Sequence, residues 1–292
     1  LQAGGVVALP TETVYGLAAD ATNRVAVRRV YAIKGRPADH PLILHLPDPE
    51  QLGRYAAAVS PAARKLVARF WPGPLTIIMQ KSAEVPYDVT GGQETVALRM
   101  IDHPLTHAIL RRFGHAVAAP SANRFGRISP TTAEHVRTDL GDEVDLIVDG
   151  GPSRIGVEST IVDITGDVPA ILRHGAIGPS ALADALGAPV LARSDGDVRA
   201  PGMLASHYAP RATLVVADTG LLAATLERER ARGGRVAKLT LPEDPRAAAR
   251  TLYASLRALD QQFFDTIVVA LPPDTEANAA VRDRLTRAAA PR

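Results

Sequence analysis

Cysteine is absent from the 292 residues, which removes disulfides, thiolate catalysis and cysteine-based zinc sites together and suits a reducing compartment. Lysine is scarce as well, with Lys34, Lys65, Lys81 and Lys238 the only four. No apolar run approaches the roughly 20 residues a membrane helix needs. The opening Leu1-Gln2-Ala3-Gly4-Gly5 lacks a signal peptide's charged and apolar regions and reads as the end of a helix that starts upstream. The expectation is a cytoplasmic protein without a membrane segment. Charge of one sign is not in excess either: 33 Lys+Arg against 31 Asp+Glu leave +2, so no large basic or acidic surface is advertised, although a local patch stays open. The commonest catalytic signatures are missing too, namely G-x-x-x-x-G-K-[ST], G-x-S-x-G and H-E-x-x-H.

What is present reads as two soluble globular domains, since the chain exceeds a typical single domain and its composition, 46% hydrophobic and 22% charged, is ordinary. Up to about residue 190, short runs rich in Val and Ile predict strands at 6–10, 42–46, 76–80, 96–100, 116–119, 146–148, 160–164 and 170–173. Helical periods fall at 23–33, 61–70, 104–113, 132–140 and 179–186, several opened by Pro, Asn or Thr. Strands that follow one another without a helix favour an open, twisted, mixed sheet over a doubly wound one. Residues 191–211 carry two Pro and two Gly without a sustained period and predict a linker. From 212 to 292 the pattern is βαβαβα, a small Rossmann-like parallel unit that lacks G-x-G-x-x-G.

Polar segments at predicted strand ends carry the chemistry. Pro10-Thr11-Glu12-Thr13-Val14-Tyr15-Gly16-Leu17 offers more donors and acceptors than a tight turn uses, and predicts a binding loop. Lys34-Gly35-Arg36-Pro37 places an ammonium beside a guanidinium at a helix end, which suits a compact polyanion such as a polyphosphate and also suits the helix dipole. As a loop cation, Lys34 is expected to support little of the core, so that Lys34→Ala should keep the fold and lose rate. His45 interrupts an apolar run beside that loop, either as a core histidine or as a contact. Pro120-Ser121-Ala122-Asn123 and Gly126-Arg127-Ile128-Ser129-Pro130-Thr131 suit phosphate or ribose oxygens. Arg99, Ser159 and Arg173 stand at ends of strands. His103 and His107, four apart on a helix, have metal-sharing spacing but no third ligand at a matching interval; exposed or capping roles fit them better.

Together these segments closely resemble the YrdC-type threonylcarbamoyl-AMP synthases, in the longer form with an additional C-terminal domain. The matching stretches are PTETVYGL (10–17), KGRP (34–37), PLILH (41–45), WPGPLT (71–76), TVALRM (95–100), PSAN (120–123), GRISPT (126–131), ESTIVD (158–163), LRHG (172–175) and APGMLASHYAP (200–210). The resemblance implies an α/β fold: a YrdC-like catalytic domain over 1–190, a linker over 191–211 that folds back as a lid, and a Rossmann-like domain over 212–292. It implies a nucleotidyltransferase that makes L-threonylcarbamoyl-adenylate from L-threonine, bicarbonate and ATP, with release of pyrophosphate, for threonylcarbamoyladenosine in tRNA. Carried over by position, Thr13, His45, Arg99 and Ser159 would hold threonine. Lys34, Arg36, Thr95, Ser121, Asn123, Ser129 and Arg173 would surround ATP, with Tyr208 reaching it from the linker beside His207. Lys34, Arg36 and Arg173 would carry the catalytic charge. His40 stands where the family commonly has Asn and is a candidate nucleotide contact. Ala119 stands where some members have Thr. Mg2+ would arrive with the nucleotide, and tRNA threonylcarbamoyl-transfer proteins would be the partners. Two alternatives remain open: a carbamoyl-adenylate-forming carbamoyltransferase, and a YrdC-like module that binds RNA weakly on a basic concave face.

Overall fold

A computed structural model describes residues 1–192 and 200–291. Its first part is built on ten strands: β1 (Val7–Leu9), β2 (Gly16–Asp20), β3 (Ile43–His45), β4 (Leu75–Gln80), β5 (Thr95–Arg99), β6 (Val117–Ala118), β7 (Leu146–Ile147), β8 (Thr160–Asp163), β9 (Ala170–Arg173) and β10 (Leu191–Ala192). They lie in the order β10-β9-β8-β4-β5-β3-β6-β2-β1-β7. The pairs β3/β5, β4/β8, β1/β7 and β9/β10 are parallel and the remaining neighbours antiparallel. This is the open mixed α/β sheet that the pattern of strands without intervening helices predicts.

Strand alternation decides where the site sits. Leu42, Leu44, Leu46, Val96, Leu98, Leu75 and Ile77 point to one face and form the main core with Val27, Val30 and Leu66. The helix carrying Val27 and Val30, Arg24–Lys34, starts on Asn23, whose side chain accepts from the backbone N–H groups of Val25 and Ala26, and stops at Gly35 in the left-handed region at φ +62°. That stop turns the chain so that Lys34 and Arg36 follow in one tight corner. Residues one step along the strands, Ile43, Ala97 and Ile161, face the other side, where Ala200 and Met203 of the linker cover them. Further along that second face, helix Pro104–Phe113 packs Leu110 on Val7, Leu9 and Val117. Between helix and linker the second face carries His45 and Arg99.

Two segments differ from their predicted form. Gly16 and Leu17, read as the end of a binding loop, begin β2, which pairs with β1 through Leu9 and Gly16 and with β6 through Ala19 and Ala118. Gly-Leu-Ala-Ala-Asp has no β-branched or aromatic residue, so only its neighbours on both sides make it a strand. Leu191 and Ala192, read as the start of the linker, extend the sheet by pairing with Ala170 and Ile171. Residues 193–199 of the expected linker lie outside the described residues.

The C-terminal part is a parallel three-stranded sheet of β11 (Thr213–Ala217), β12 (Val236–Leu239) and β13 (Thr266–Ala270), with the last strand in the centre. Helices Leu222–Ala231, Pro245–Asp260 and Ala279–Ala289 complete it. Its core is not self-contained: Val14, Ile128 and Val157 of the first part and Tyr208 of the linker pack in one cluster with Leu252, Tyr253, Ile267 and Leu285.

Candidate active site

The parallel register of β3 and β5 sets His45 beside Arg99. The Arg99 guanidinium donates from Nη2 to Glu12 Oε1 at 2.7 Å and to Thr13 Oγ1 at 2.9 Å, and from Nε to the Gly73 carbonyl at 3.2 Å. Thr13 is itself fixed by its neighbour. Thr11 donates its hydroxyl to the Val14 carbonyl at 2.7 Å, so the 2.8 Å contact between the two hydroxyls has Thr13 as donor. His45 Nε2 lies 3.2 Å from the Ala119 carbonyl and must donate to it, which leaves buried Nδ1 as a bare acceptor. Burial first, and then the Arg99 charge, push the His45 pKa down to about 3, so the ring is neutral.

Two further guanidiniums line the same cavity, Arg36 and Arg173, and neither forms an ion pair with a carboxylate among the described residues. Arg173 donates to the Ser159 carbonyl at 3.0 Å, to Ser159 Oγ at 3.0 Å and to the Pro201 carbonyl at 2.9 Å. Ser159 in turn shares a 2.8 Å hydroxyl contact with Thr76. Arg36 donates to the carbonyls of His40 and Pro41 at 3.4 and 2.9 Å, and its guanidinium carbon lies 5.5 Å from the Phe125 ring centre. Burial lowers its pKa to about 10, still far above neutrality, so both arginines remain positive in a water-poor site.

Lys34 is placed differently from a free phosphate ligand. Its ammonium donates to the carbonyls of Ser121 and Asn123, both at 2.6 Å, and is buried. Burial, and then Arg36, lower its pKa well below the ordinary value. The expectation that Lys34 supports little of the fold is therefore corrected: it ties the 120–123 turn to the end of helix Arg24–Lys34. Asn123 donates to the carbonyls of Arg124 and Arg127 at 2.7 and 2.8 Å, while its Oδ1 is buried without a partner. Ser129 donates to Glu158 Oε1 at 2.5 Å.

These groups converge on one cavity of about 50 Å³, lined by Thr13, Arg36, His45, Arg99, Ser121 and Arg173, with Glu158, Pro201, Gly202, His207 and Tyr208 closing it. Ligand pockets commonly measure about 300–1,000 Å³, so the linker residues fill most of the space a nucleotide would need. Ser159, Ser129, Lys34 and Asn123 support this wall from behind through the hydrogen bonds above. His40 flanks it, edge-on to Phe125 at 5.4 Å. Thr95 stands apart at the far end of β5, half-buried and opposite Gln80. The lid residue Tyr208 is buried and holds φ +64°, a conformation that a residue with a Cβ adopts at a cost.

Four residues of the neighbourhood were not singled out from the sequence. Glu12 pairs with Arg99, and buried Glu158 receives Ser129, Tyr253 at 2.9 Å and Arg284 at 2.7 Å. Burial alone would raise the Glu158 pKa, but Arg284 and Arg173 outweigh it and hold the group at about 2. Both carboxylates lie in motifs quoted above, and a lone acid in a hydroxyl-rich or apolar string was the available signal. Tyr253 and Arg284 sit in amphipathic helices that gave none. Among the described residues no group of three or more His, Asp or Glu could hold a metal ion, and the His103–His107 pair gains no third member.

Comparison with known proteins adds an independent line. A family model described as telomere recombination matches residues 1–175, and one described as threonylcarbamoyl-AMP synthase, C-terminal domain, matches 175–290. A threonylcarbamoyl-AMP synthase of Bacillus subtilis (strain 168) is 40% identical across 99% of this chain and 90% of its own length. One of Pyrococcus abyssi (strain GE5 / Orsay) is 37% identical across 99% of this chain and 91% of its own. The crystal structure of P. abyssi Sua5 complexed with L-threonine superposes with a TM-score of 0.94 at 36% identity, covering 99% of this chain and 91% of that one.

Proposed function

The chain belongs to the threonylcarbamoyl-AMP synthase family, and from that premise we propose how its residues make L-threonylcarbamoyl-adenylate for tRNA modification. The observation that carries the assignment of roles is the grouping of the cavity lining. Thr13 is hydrogen-bonded to Arg99, with His45 beside Arg99 in register, whereas Arg36 and Arg173 line the same cavity and form no ion pair with a carboxylate among the described residues.

In this reading Arg99 takes the threonine carboxylate while Glu12 holds the guanidinium in orientation. His45 Nδ1, a neutral acceptor, accepts a hydrogen bond from the threonine hydroxyl. The threonine amine combines with bicarbonate to form a carbamate and water. One carbamate oxygen then attacks the α-phosphorus of ATP in line, the bond to the bridging oxygen breaks, and pyrophosphate leaves with its electron pair. No side chain needs to become a covalent intermediate, so the protein's work is positioning and charge stabilisation. Arg36 and Arg173 face the phosphoryl oxygens, where negative charge grows. Lys34 acts by fixing the Ser121–Asn123 turn, from which Ser121 reaches the nucleotide while Asn123 braces the turn from behind. His40 borders the nucleotide end, whereas Thr95, at the far end of β5, is assigned no contact.

Among the described residues no carboxylate cage for Mg2+ is found, and the ion would come on the triphosphate; no step is assigned to it. The small cavity supports a reading in which the linker at Pro201–Tyr208 swings out for ATP and returns over it. A cytoplasmic location and tRNA threonylcarbamoyl-transfer proteins as acceptors complete the proposal; no helix among the described residues is long and apolar enough to cross a membrane. The C-terminal family match favours this activity over carbamoyl-phosphate chemistry. Pyrophosphate release measured with ATP, bicarbonate and each amino acid in turn tests it. Release should require threonine, and release with another amino acid alone would overturn the substrate.

A further inference from the structure

The last helix of the C-terminal part reaches into the wall of the cavity. Arg284 in helix Ala279–Ala289 is fully buried, donates from Nε to Glu158 Oε2 at 2.7 Å, and holds its guanidinium carbon 5.0 Å from the Tyr208 ring centre. Tyr253 stacks on Tyr208 with ring centres 5.9 Å apart and donates to the same Glu158. The linker backbone is held by the same helix: Arg287 donates to the Leu204 carbonyl at 2.6 Å, and the His207 N–H reaches the Arg287 carbonyl at 3.2 Å. On its other flank Ala209 donates to the Gly126 carbonyl at 2.9 Å.

These contacts explain how Tyr208 keeps a left-handed backbone. A strained residue persists only where its surroundings over-determine it, and such strain collects where a segment must be set in one position. Glu158 joins the parts. It binds Ser129 on the nucleotide side and Arg284 on the C-terminal side, so a buried carboxylate and its cation cross the boundary between the two cores. Removing the cation would leave Glu158 buried and unpaired, free to pull Ser129 and release the tyrosine.

We propose that Arg284 is a positioning residue for adenylate formation, locking Tyr208 over the nucleotide site through its pair with Glu158 and its place on the tyrosine ring. The C-terminal part thereby takes part in the reaction as the seat of the closed linker. The inference rests on the activity proposed above and extends it to a residue in the last helix. Thr13, His45 and Arg99 make no hydrogen bond or ion pair with Arg284, whose side chain bonds Glu158 and Asp283, so threonine binding should not respond to it.

The test uses the full chain and threonine-dependent pyrophosphate release, with wild type, Arg284→Gln, Tyr208→Ala and the double variant assayed together. Arg284→Gln should lower kcat/KM for ATP by about tenfold or more, the scale of one charge-assisted hydrogen bond, while the KM for threonine stays within about twofold. If Arg284 acts through Tyr208, the second substitution should add less than about threefold to the loss in Tyr208→Ala. Losses that multiply, or that fall equally on ATP and threonine, would overturn the inference. Arg287→Ala guards against misfolding, because that side chain is one-fifth exposed. It should raise the KM for ATP alone, and an unchanged value would also overturn the inference. Wild type without threonine-dependent release would overturn the proposed activity itself, a result distinct from an active wild type with multiplicative losses.

Discussion

Arg99 and Lys34 show how far single residues depend on burial for their meaning. Arg99 and Glu12 are each almost completely buried, so the pair is worth little as an attraction yet much as a mutual neutralisation. Arg99→Ala should abolish threonine-dependent turnover and also cost about 3–5 kcal/mol in urea unfolding, because Glu12 would be left charged and unpaired. An unchanged urea midpoint would contradict the ion-pair reading. Lys34→Ala should lose rate together with about 2–3 kcal/mol of stability, the scale of charged hydrogen bonds to two carbonyls. Loss of rate at full stability would return Lys34 to the role of a free cation. The sequence marked both residues as cations at the ends of elements. It could not mark the direction in which Lys34 points, since an ammonium at a helix end is equally suited to a phosphate and to the carbonyls of a neighbouring turn.

Elements with strong apolar runs or caps were legible: β3, β4 and β5 fall on short runs rich in Ile, Leu and Val, and helix Arg24–Lys34 is bounded by Asn23 and Gly35. β2 was not, because its residues have no strand preference and only pairing on two sides orders them. From composition the linker was legible only as irregular chain. That it folds back came from the resemblance, through the APGMLASHYAP stretch, whose Met203, His207 and Tyr208 are apolar or aromatic groups in a segment that would otherwise be solvated. At Gly202, φ is +86° and an added Cβ would collide with the Tyr208 hydroxyl. Gly202→Ala should therefore displace Tyr208 and cut kcat/KM for ATP by about tenfold, the order expected from a misplaced positioning group, with secondary structure unchanged by circular dichroism. Full activity in Gly202→Ala would mean that the closed linker seen here is not the reacting form. Shortening the chain after residue 190 removes the same contacts and β10 as well, so it should lower activity and also loosen the edge of the sheet.

Across the whole molecule, two folding units share a charged seam of Glu158, Arg284, Tyr253 and Ser129, and a second one where Arg257 meets Asp139 and the Ile128 and Ser129 carbonyls. This seam was invisible in the sequence because the pairs that cross it lie 95 to 129 residues apart, on faces that look ordinary in isolation. It also sets a pH response. His45 and His207 are buried neutral, with pKa values pushed down to about 3 chiefly by burial. The unfolded chain takes up protons on both below about 6.5, whereas the folded chain does not, so stability falls as pH drops from about 6.5 towards 3. Each histidine contributes a slope of up to about 1.4 kcal/mol per pH unit. Glu158, held at about 2, adds to the loss from its ordinary value of 4.5 downward. Urea midpoints that stay flat between pH 6.5 and 4 would contradict the buried neutral state of these rings. The claim to which all three scales lead is that this cavity joins threonine, bicarbonate and the adenylate of ATP in one molecule. Mass spectrometry of a single turnover with carbon-13 bicarbonate and threonine tests it most directly. The account predicts an adenylate that carries both threonine and the labelled carbon, formed in step with pyrophosphate, while an adenylate lacking the labelled carbon would contradict it.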